Sequence, residues 1–185
     1  MSVSFNIPEI ETARLRLRLP MASDLDAYTA FRMSDRSKGV GGPFDAASAF
    51  QSLAAIVGQW QLRGYGRWMV ADRETDAPLG IVGIFHPTDW PEPEIGWSVF
   101  ADAEGKGIAM EAALAARDYA YNTLRWRRIV SLVLEDNHRS IALAKRMGCV
   151  AEDIFAHPTF GNLRVWRHLS PAELCATTEQ METQT

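Results

Sequence analysis

Strict alternation of apolar and charged residues marks the first regular element of the chain. Residues 14–19 read RLRLRL, a period of two that is typical of a half-buried strand. After this strand the apolar residues recur every three to four positions, which predicts a helix. Ser23 and Asp26 are its predicted capping pair. Three large residues fall on one face of this helix: Leu25, Tyr28 and Phe31. A strand followed by an amphipathic helix is therefore predicted at the start of the fold.

A second helix is predicted after a loop rich in glycine and proline at 38–43. Asp45 is its expected N-cap residue. The apolar positions that recur through to about residue 62 predict a buried face, and they are Phe50, Leu53, Val57 and Trp60. We interpret this face as core.

The pattern changes to strands from residue 66. Three strands are expected, at 67–72, 79–85 and 94–100. A glycine-containing loop at 103–107 leads into an alanine-rich helix that extends to about residue 122. The segment RIVSLVL at 128–134 is apolar on both faces, which is typical of a central strand covered on both sides.

The remaining elements are a helix at 137–147, which Gly148 ends, and two closing strands at about 150–156 and 163–169. The resulting order is one strand, two helices, three strands, a helix, a strand, a helix and two strands. It predicts a mixed α/β domain.

Composition agrees with one globular domain. The 185 residues are 47% hydrophobic and 10% aromatic, which excludes a disordered chain. The net charge is −4, so the basic surplus of a nucleic-acid-binding protein is missing. No apolar run reaches the length of about 18 residues that spans a bilayer, and the N-terminus lacks the features of a signal peptide. We expect a cytoplasmic protein without a membrane or nucleic-acid partner.

The cysteines and histidines indicate neither disulfides nor a metal. Cys149 and Cys175 are the two cysteines, and they lack CxxC spacing. The four histidines are scattered along the chain. We therefore predict no structural metal site.

The loop Gly105-Lys106-Gly107 before the alanine-rich helix carries the clearest chemical signal. Glycines at a helix N-terminus let the backbone approach an anion closely, and the helix dipole favours negative charge there. The loop is neither a Walker A motif nor the GxGxxG dinucleotide fingerprint, whose third glycine position holds Met110. A pyrophosphate site and a plain structural turn both remain open at this point.

Several segments together resemble the GNAT N-acetyltransferases, and in particular their RimJ/RimL-like branch. The segment from Glu104 to Ala109 is similar to the family's acyl-CoA pyrophosphate loop, with matches at Gly107 and Ala109. Further similar segments follow in the family's order: TARLRLR at 12–18, EIGW at 94–97, NHRS at 137–140 and KRMG at 145–148. The resemblance covers roughly residues 10–169.

The resemblance implies a fold and a domain arrangement. It implies a single-domain α/β fold with a mixed central sheet of about seven strands, splayed in the middle and flanked by about four helices. Residues 1–169 would form the acetyltransferase domain. Residues 170–185 are polar, without aromatic residues, and are expected to be a flexible tail.

The resemblance also implies that acetyl-CoA is the co-substrate, without a metal. The pantetheine would pair with the backbone near Val99, Phe100 and Ala101. The pyrophosphate would lie on the backbone of five residues of the glycine loop: Gly105, Lys106, Gly107, Ile108 and Ala109. Asn137 and Ser140 would lie beside the pantetheine and the sulfur.

The chain departs from the family pattern at two positions. The family usually has Gln or Arg where this chain has Glu104, so we expect the carboxylate to point to solvent and only its backbone N–H to bind the cofactor. Many members also have a tyrosine that protonates the leaving thiolate, and Ala144 stands at that position. Ser140 is the candidate replacement.

The implied reaction is acetyl transfer to a primary amine by direct attack in a ternary complex. Glu94 is the predicted base, acting through a water, although a solvated strand-end carboxylate is an equal alternative. His86 and Trp90 either line the acceptor pocket or are a surface histidine and a packing tryptophan. Neutralising an α-amine at pH 7 costs about 1.4 kcal/mol and a lysine amine about 4.6 kcal/mol, which favours α-amines or other weakly basic amines.

Two other functions remain open from the sequence. One is a catalytically inactive acyl-CoA-binding regulatory module, and the other is an unrelated phosphate-binding α/β protein. The acceptor can be a protein N-terminus or a small-molecule amine, and the protein can be a monomer or a homodimer. The expected cofactor segment, residues 104–146, holds eight basic and five acidic side chains, although the whole chain is acidic.

Overall fold

The computed structural model describes residues 7–174. In this range the chain forms eight strands and four α-helices. The strands are β1 (Ile10–Glu11), β2 (Leu15–Arg18), β3 (Arg67–Asp72), β4 (Pro78–Phe85), β5 (Glu94–Val99), β6 (Val130–Leu134), β7 (Val150–His157) and β8 (Gly161–Arg167). The helices are α1 (Leu25–Met33), α2 (Ala46–Arg63), α3 (Ile108–Asp118) and α4 (His138–Arg146). Shorter helical turns lie at Ala22–Asp24, Asp35–Val40, Ala101–Ala103 and Tyr119–Thr123.

The strands follow the hydrogen-bonded order β1-β2-β3-β4-β5-β6-β8-β7. Strands β1 to β4 pair antiparallel, as do β6 with β8 and β8 with β7. Strand β5 pairs with β6 in parallel, at Glu94 and Val130. The sheet is mixed, and the predicted α/β class is confirmed. Strand β1 was not predicted, because its two residues are too few to show a period.

The described chain divides into two compact units. The first contains the residues up to Phe85 together with Ile95–Ala116. The second contains His86–Glu94 and the residues from Arg117 onward. Strand β5 contributes Glu94 to the second unit and its other residues to the first.

The core of the first unit packs α1 and α2 against β3 and β4. Seven buried residues form its main cluster: Tyr28, Phe31, Leu53, Ile56, Met69, Ile81 and Phe100. The rings of Phe31 and Phe100 lie 5.5 Å apart between centroids, a distance typical of favourable aromatic contacts. Phe100 immediately follows β5, so this contact anchors the point where the chain leaves the sheet.

Two of the four residues on the buried face of α2 are the chain neighbours of the predicted ones: Ala49 is buried instead of Phe50, and Ile56 instead of Val57. Ala49, Leu53, Ile56 and Trp60 are its buried residues, whereas Phe50 is 57% exposed. Leu53 and Trp60 were predicted correctly and Phe50 was not. Apolar residues of α2 lie on two neighbouring faces of the helix, so the sequence pattern fits either face as the buried one. Tertiary packing decides which face is buried. The predicted cap is confirmed, because Oδ1 of Asp45 accepts the N–H of Ser48 at 2.7 Å.

The start of α1 is organised differently from the prediction. Asp24 replaces the predicted capping pair of Ser23 and Asp26, because its carboxylate accepts the N–H of Met21 at 2.7 Å. The same carboxylate is bound at 2.8 and 2.9 Å by the two terminal nitrogens of Arg18, and both side chains are buried. A bidentate buried pair of this kind fixes the entry of α1 against β2.

The core of the second unit lies on strands β6, β7 and β8. Val130, Leu132 and Leu163 form its buried centre, and Trp90, Phe155 and Phe160 are among the side chains that pack against it. Helix α4 begins and ends as predicted, with Asn137 as N-cap and Gly148 in the left-handed conformation at φ 74°.

His168 forms a buried polar group in the second unit. Its ring nitrogens lie 2.9 Å from Oγ of Ser131 and 3.4 Å from Sγ of Cys149, and its carbonyl oxygen accepts the hydroxyl of Tyr121. Burial, with the nearby positive charges of Arg117 and Arg167, lowers the pKa of His168 to about 3. Burial likewise raises the pKa of the Cys149 thiol to about 11. The group is therefore neutral, which suits a structural role.

The predicted tail lies mostly outside the described residues. Within the described part, the N–H and hydroxyl of Ser170 donate to the carboxylate of Glu173, and Glu173 N–H donates back to the Ser170 hydroxyl. This reciprocal arrangement is a capping box, and it begins a helical turn at 171–174. None of the helices in the described range is long and apolar enough to cross a membrane.

Candidate active site

The predicted cofactor loop connects β5 to α3 within the first unit. Its two glycines adopt left-handed backbone angles, with φ 73° at Gly105 and φ 77° at Gly107. A Cβ at Gly105 would meet nothing within 4 Å, so glycine is required there by its backbone angle rather than by space. The structure therefore places glycines where the chain turns sharply into a helix.

The beginning of α3 presents backbone donors. The N–H of Glu111 is the first to bond back in helical fashion, to the carbonyl of Gly107 at 3.1 Å. The preceding N–H groups of the first turn, those of 108–110, have no acceptor inside a helix. Together with the helix dipole they provide a site suited to an anion.

Other backbone donors of this segment are already used within the unit. The N–H of Phe100 donates to Leu79, and the N–H of Glu104 donates to Ala101 at 3.2 Å. The Glu104 N–H, which was expected to bind the cofactor, thus already has an acceptor in this structure, and its cofactor role stays a prediction. This donor closes the short helical turn at Ala101–Ala103. The sequence pattern did not predict that turn.

The carboxylate of Glu104 also differs from the prediction. Instead of pointing to solvent alone, it forms an ion pair with Nη1 of Arg36, and the two side chains are 37% and 28% exposed. Nη2 of the same arginine lies 3.5 Å from the carbonyl oxygen of Val99. Arg36 thus contacts both ends of the segment that leads from β5 into the glycine loop.

A second arginine, Arg14 in the bend just before β2, braces the glycine loop. Arg14 binds the Glu111 carboxylate through Nε and Nη2, at 2.8 and 2.7 Å, and its Nη1 donates to the carbonyl of Lys106 at 2.9 Å. The hydroxyl of Thr12 donates to the same carboxylate at 2.6 Å. Burial opposes the charge on Glu111, but the hydrogen bonds from Thr12 and Arg14 outweigh it and lower the pKa of Glu111. The charged pair holds the loop to the first turn of α3.

Close packing at Gly80 fixes the end of β5. A Cβ built on this buried glycine would lie 2.3 Å from the carbonyl oxygen of Ser98 and 3.1 Å from Cα of Val99. These distances leave no room for a side chain. Gly80 thereby sets how closely β4 approaches the end of β5.

Glu94, the predicted base, lies in the second unit and is held by two donors. The indole N–H of Trp90 donates to its Oε2. The backbone N–H of Leu132 lies 3.4 Å from its Oε1. Glu94 is half-buried, so it is not the freely solvated carboxylate that was the alternative interpretation.

Trp90 itself packs in an aromatic cluster. Its ring lies 4.9 Å from that of His157 and 5.6 Å from that of Phe160, both at steep angles. Nε2 of His157 lies 3.0 Å from Oδ2 of Asp89, while Nδ1 accepts the N–H groups of Thr159 and Phe160. These contacts support the packing interpretation of Trp90 and give it a defined orientation.

Asn137 and Ser140 meet at the start of α4, also in the second unit. Oδ1 of Asn137 accepts the backbone N–H of Ser140 at 3.2 Å, which caps the helix. Ala144 is fully buried, so the position that carries a tyrosine in many members of the resembled family packs in the interior here.

A groove of about 410 Å³ opens on strands β6 to β8 of the second unit. Its floor is apolar, with Val130, Phe155 and Val165, and Glu92 and Glu152 lie at its side. Both carboxylates are bound by Arg167 at 2.6–2.8 Å. None of the predicted site residues lines this groove, and in the described range no three acidic, histidine or cysteine side chains cluster to hold a metal.

Two site residues were missed from the sequence. Arg14 lies in the opening motif TARLRLR that contributes to the family resemblance, and this motif could have indicated a role at the site. It was interpreted only as part of a strand. Arg36 lies in the turn at Asp35–Val40, where no periodicity or motif distinguishes it. Both are partners of carboxylates that are distant along the chain.

Comparison with known proteins gives a consistent result. Residues 14–150 match the acetyltransferase (GNAT) domain family. The chain is 26% identical over 160 residues to the uncharacterized N-acetyltransferase YoaA of Bacillus subtilis (strain 168), covering 84% of this chain and 90% of that protein.

Solved structures of acetyltransferases share the fold. An acetyltransferase from Agrobacterium tumefaciens str. C58 aligns with a TM-score of 0.81 and 37% identity, over 90% of this chain and 97% of that one. RimL, a ribosomal L7/L12 α-N-protein acetyltransferase solved in complex with coenzyme A, aligns with a TM-score of 0.72 and 17% identity, over 89% and 99% of the two chains. The resemblance drawn from the sequence motifs is confirmed.

Proposed function

Given that the chain belongs to the GNAT acetyltransferase family, we propose that it transfers the acetyl group of acetyl-CoA to a primary amine. The amine is a protein N-terminal α-amine or that of a small molecule, and it attacks directly in a ternary complex. The observation that carries the proposal is the left-handed glycine loop at the N-terminus of α3. Free backbone donors and a helix dipole meet there, as a pyrophosphate requires.

The residues around this loop fit a polyanion. Lys106 is exposed and makes no ion pair within residues 7–174, so its charge is available. Arg14 adds a half-exposed guanidinium beside the loop, bound to Glu111. In our proposal Gly105 to Ala109 hold the pyrophosphate, and the pantetheine lies along the backbone of Val99 to Ala101. Asn137 and Ser140 are assigned to the cofactor from the family resemblance.

Acetyl-CoA supplies the activated acyl group, and the chain's own residues handle the protons. We propose that Glu94 takes a proton from the incoming ammonium through a water, because its carboxylate is held in one orientation by Trp90. Ser140 is proposed to hydrogen-bond the departing sulfur, since Ala144 offers no hydroxyl. A hydroxyl is a weak acid, so Ser140 hydrogen-bonds the sulfur rather than protonating it. Without an obvious strong base, the site suits amines that are weakly basic.

The proposal is tested by ligand stabilisation and turnover. Millimolar acetyl-CoA is expected to raise the melting temperature, because a ligand that binds only the folded state stabilises it. Release of free CoA is then measured over an amine panel that includes peptides with free N-termini. If no acyl-CoA changes the melting temperature, the proposal is wrong.

Two further outcomes identify the alternatives. Stabilisation by acetyl-CoA without turnover of any amine would indicate a catalytically inactive acyl-CoA-binding module, a function favoured by the buried Ala144. Stabilisation by ATP but not by CoA would indicate an unrelated phosphate-binding protein. Peptides that outperform small amines would assign the acceptor to protein N-termini.

A further inference from the structure

Arg36 is the residue from which we draw a new inference. It lies in the turn at Asp35–Val40, far along the chain from the glycine loop, yet Nη1 forms an ion pair with Glu104. We propose that Arg36 is a positioning residue for the cofactor loop, which neutralises Glu104 and thereby permits a pyrophosphate to bind next to it. This inference rests on the proposed function.

The electrostatic need follows from the position of Glu104. This carboxylate directly precedes Gly105, the first residue of the loop proposed to hold two phosphates. The negative charge of this carboxylate repels the phosphates, because like charges a few ångströms apart repel each other, and more strongly in a protein environment than in water. Pairing with Arg36 removes this repulsion without removing the residue.

The second contact of Arg36 adds a geometric role. Nη2 lies 3.5 Å from the carbonyl oxygen of Val99, at the end of β5, while Nη1 holds Glu104. The guanidinium therefore bridges the two ends of the segment that carries Phe100 and the short turn at Ala101–Ala103. It fixes the spacing between the strand end and the loop.

Stability alone does not account for this arrangement. The pair is partly exposed, with 28% and 37% of the two side chains accessible, and such pairs contribute little to folding. Nε of Arg36 is buried without a hydrogen-bond partner among the described residues, which offsets part of the gain. A role of Arg36 in ligand binding fits these facts better than a role in folding.

The proposal makes an asymmetric prediction for the two partners. Arg36→Ala removes the guanidinium that pairs with Glu104 and weakens CoA binding by about tenfold. Glu104→Gln removes the repelling charge and leaves Arg36 positive, so CoA binds at least as tightly as to the wild type. The double variant restores binding to within about threefold of the wild type, because the charge that needed neutralising is gone.

The experiment measures the Kd of CoA by isothermal titration calorimetry for the wild type, both single variants and the double variant. Arg164→Ala is the matched control, since Arg164 is 33% exposed and pairs with Glu135 in the other unit. Its Kd is expected to equal that of the wild type. All melting temperatures are expected to stay within about 2 °C of the wild type.

Each remaining outcome has one meaning. Failure of the wild type to bind CoA overturns the proposed function and this inference together. Wild-type binding with an unchanged Kd for Arg36→Ala overturns the inference alone. Equal weakening of Arg36→Ala and the double variant overturns charge neutralisation, and a large common loss of melting temperature would show that Arg36 serves folding.

Discussion

The indole N–H of Trp90 donates a hydrogen bond to Oε2 of Glu94, four residues further along the chain. Trp90 cannot rotate freely, because its ring packs against His157 and Phe160. The carboxylate is therefore oriented by a rigid donor on one oxygen and by the N–H of Leu132 near the other. An oriented carboxylate is what a general base requires, since reach and direction decide proton transfer before basicity does.

Trp90→Phe is expected to lower kcat/KM by about tenfold, because it keeps an aromatic ring and removes the hydrogen bond to a charged group. The Kd of CoA should not change. The measurement is a steady-state CoA-release assay with the best amine of the panel, alongside calorimetric binding of CoA.

The control for this prediction is Glu94→Gln. It is expected to lose at least as much activity, and adding Trp90→Phe to it should cost nothing further, since the donor acts through the carboxylate. An additional loss in the double variant would show that Trp90 acts through another group.

Arg14→Ala is expected to weaken CoA binding several-fold, because the loop loses its tie between Lys106 and Glu111. Stability should fall by about 1 kcal/mol at most, as the Arg14 side chain is half-exposed. Arg16→Ala is the neighbouring control, with ion pairs at 3.5 and 3.7 Å to Glu11 and Asp76. Equal CoA affinity in the two variants would contradict a role for Arg14 at the loop.

Asn137→Ala and Ser140→Ala separate capping from chemistry. The cap joins Oδ1 of Asn137 to the backbone N–H of Ser140, which alanine at 140 retains. Asn137→Ala should therefore lose about 1 kcal/mol of stability, and Ser140→Ala should keep its cap. If the Ser140 hydroxyl serves the leaving sulfur, Ser140→Ala lowers kcat while its melting temperature stays near that of the wild type. Unchanged turnover in this variant would remove Ser140 from the mechanism.

Stability is expected to fall as the pH is lowered from 7 to 5, and His168 is the cause. Its pKa is about 3 in the folded state, against about 6.5 when unfolded, so between these values only the unfolded chain binds the proton. The stabilisation is complete above pH 6.5 and decreases as the pH falls towards 3. Linkage gives a loss of about 2 kcal/mol between pH 7 and 5, measurable by urea denaturation.

His168→Gln tests this assignment. The variant is expected to be less stable at pH 7, because contacts with Ser131 and Cys149 change. Its stability should nevertheless vary less between pH 7 and 5 than that of the wild type. An unchanged slope would assign the pH dependence to other groups.

Much of the fold could be predicted from the sequence, because its elements carry strong local signals. Residues 67–72 form a strand with the predicted bounds, and Asp45 and Gly148 mark helix ends through their own side chain or backbone angle. The glycine loop was likewise recognised from residues adjacent in the chain. Local chemistry determines these features, so sequence spacing predicts them.

Long-range partners could not be predicted in the same way. Arg36 and Glu104 are separated by 68 positions, and Arg14 and Glu111 by 97, so no spacing rule connects them. The family resemblance marks Glu104 as a departure from the usual pattern, but its ion pair with Arg36 depends on how two distant turns pack. The prediction that Phe50 lies on the buried face of α2 was wrong for the same reason. Phe50 and Ala49 are equally compatible with the local pattern, and tertiary packing decides which of them is buried.

The close packing around Gly80 restricts which substitutions this position can accept. A single added methyl group would displace the carbonyl of Ser98, and with it the strand end from which Phe100 and the glycine loop continue. Position 80 bears no chemistry and lies within a buried strand, yet it governs the geometry of the segment assigned to the cofactor. In a saturation library selected for activity, we expect this position to tolerate only glycine, while the exposed Lys106 beside the proposed ligand accepts several residues.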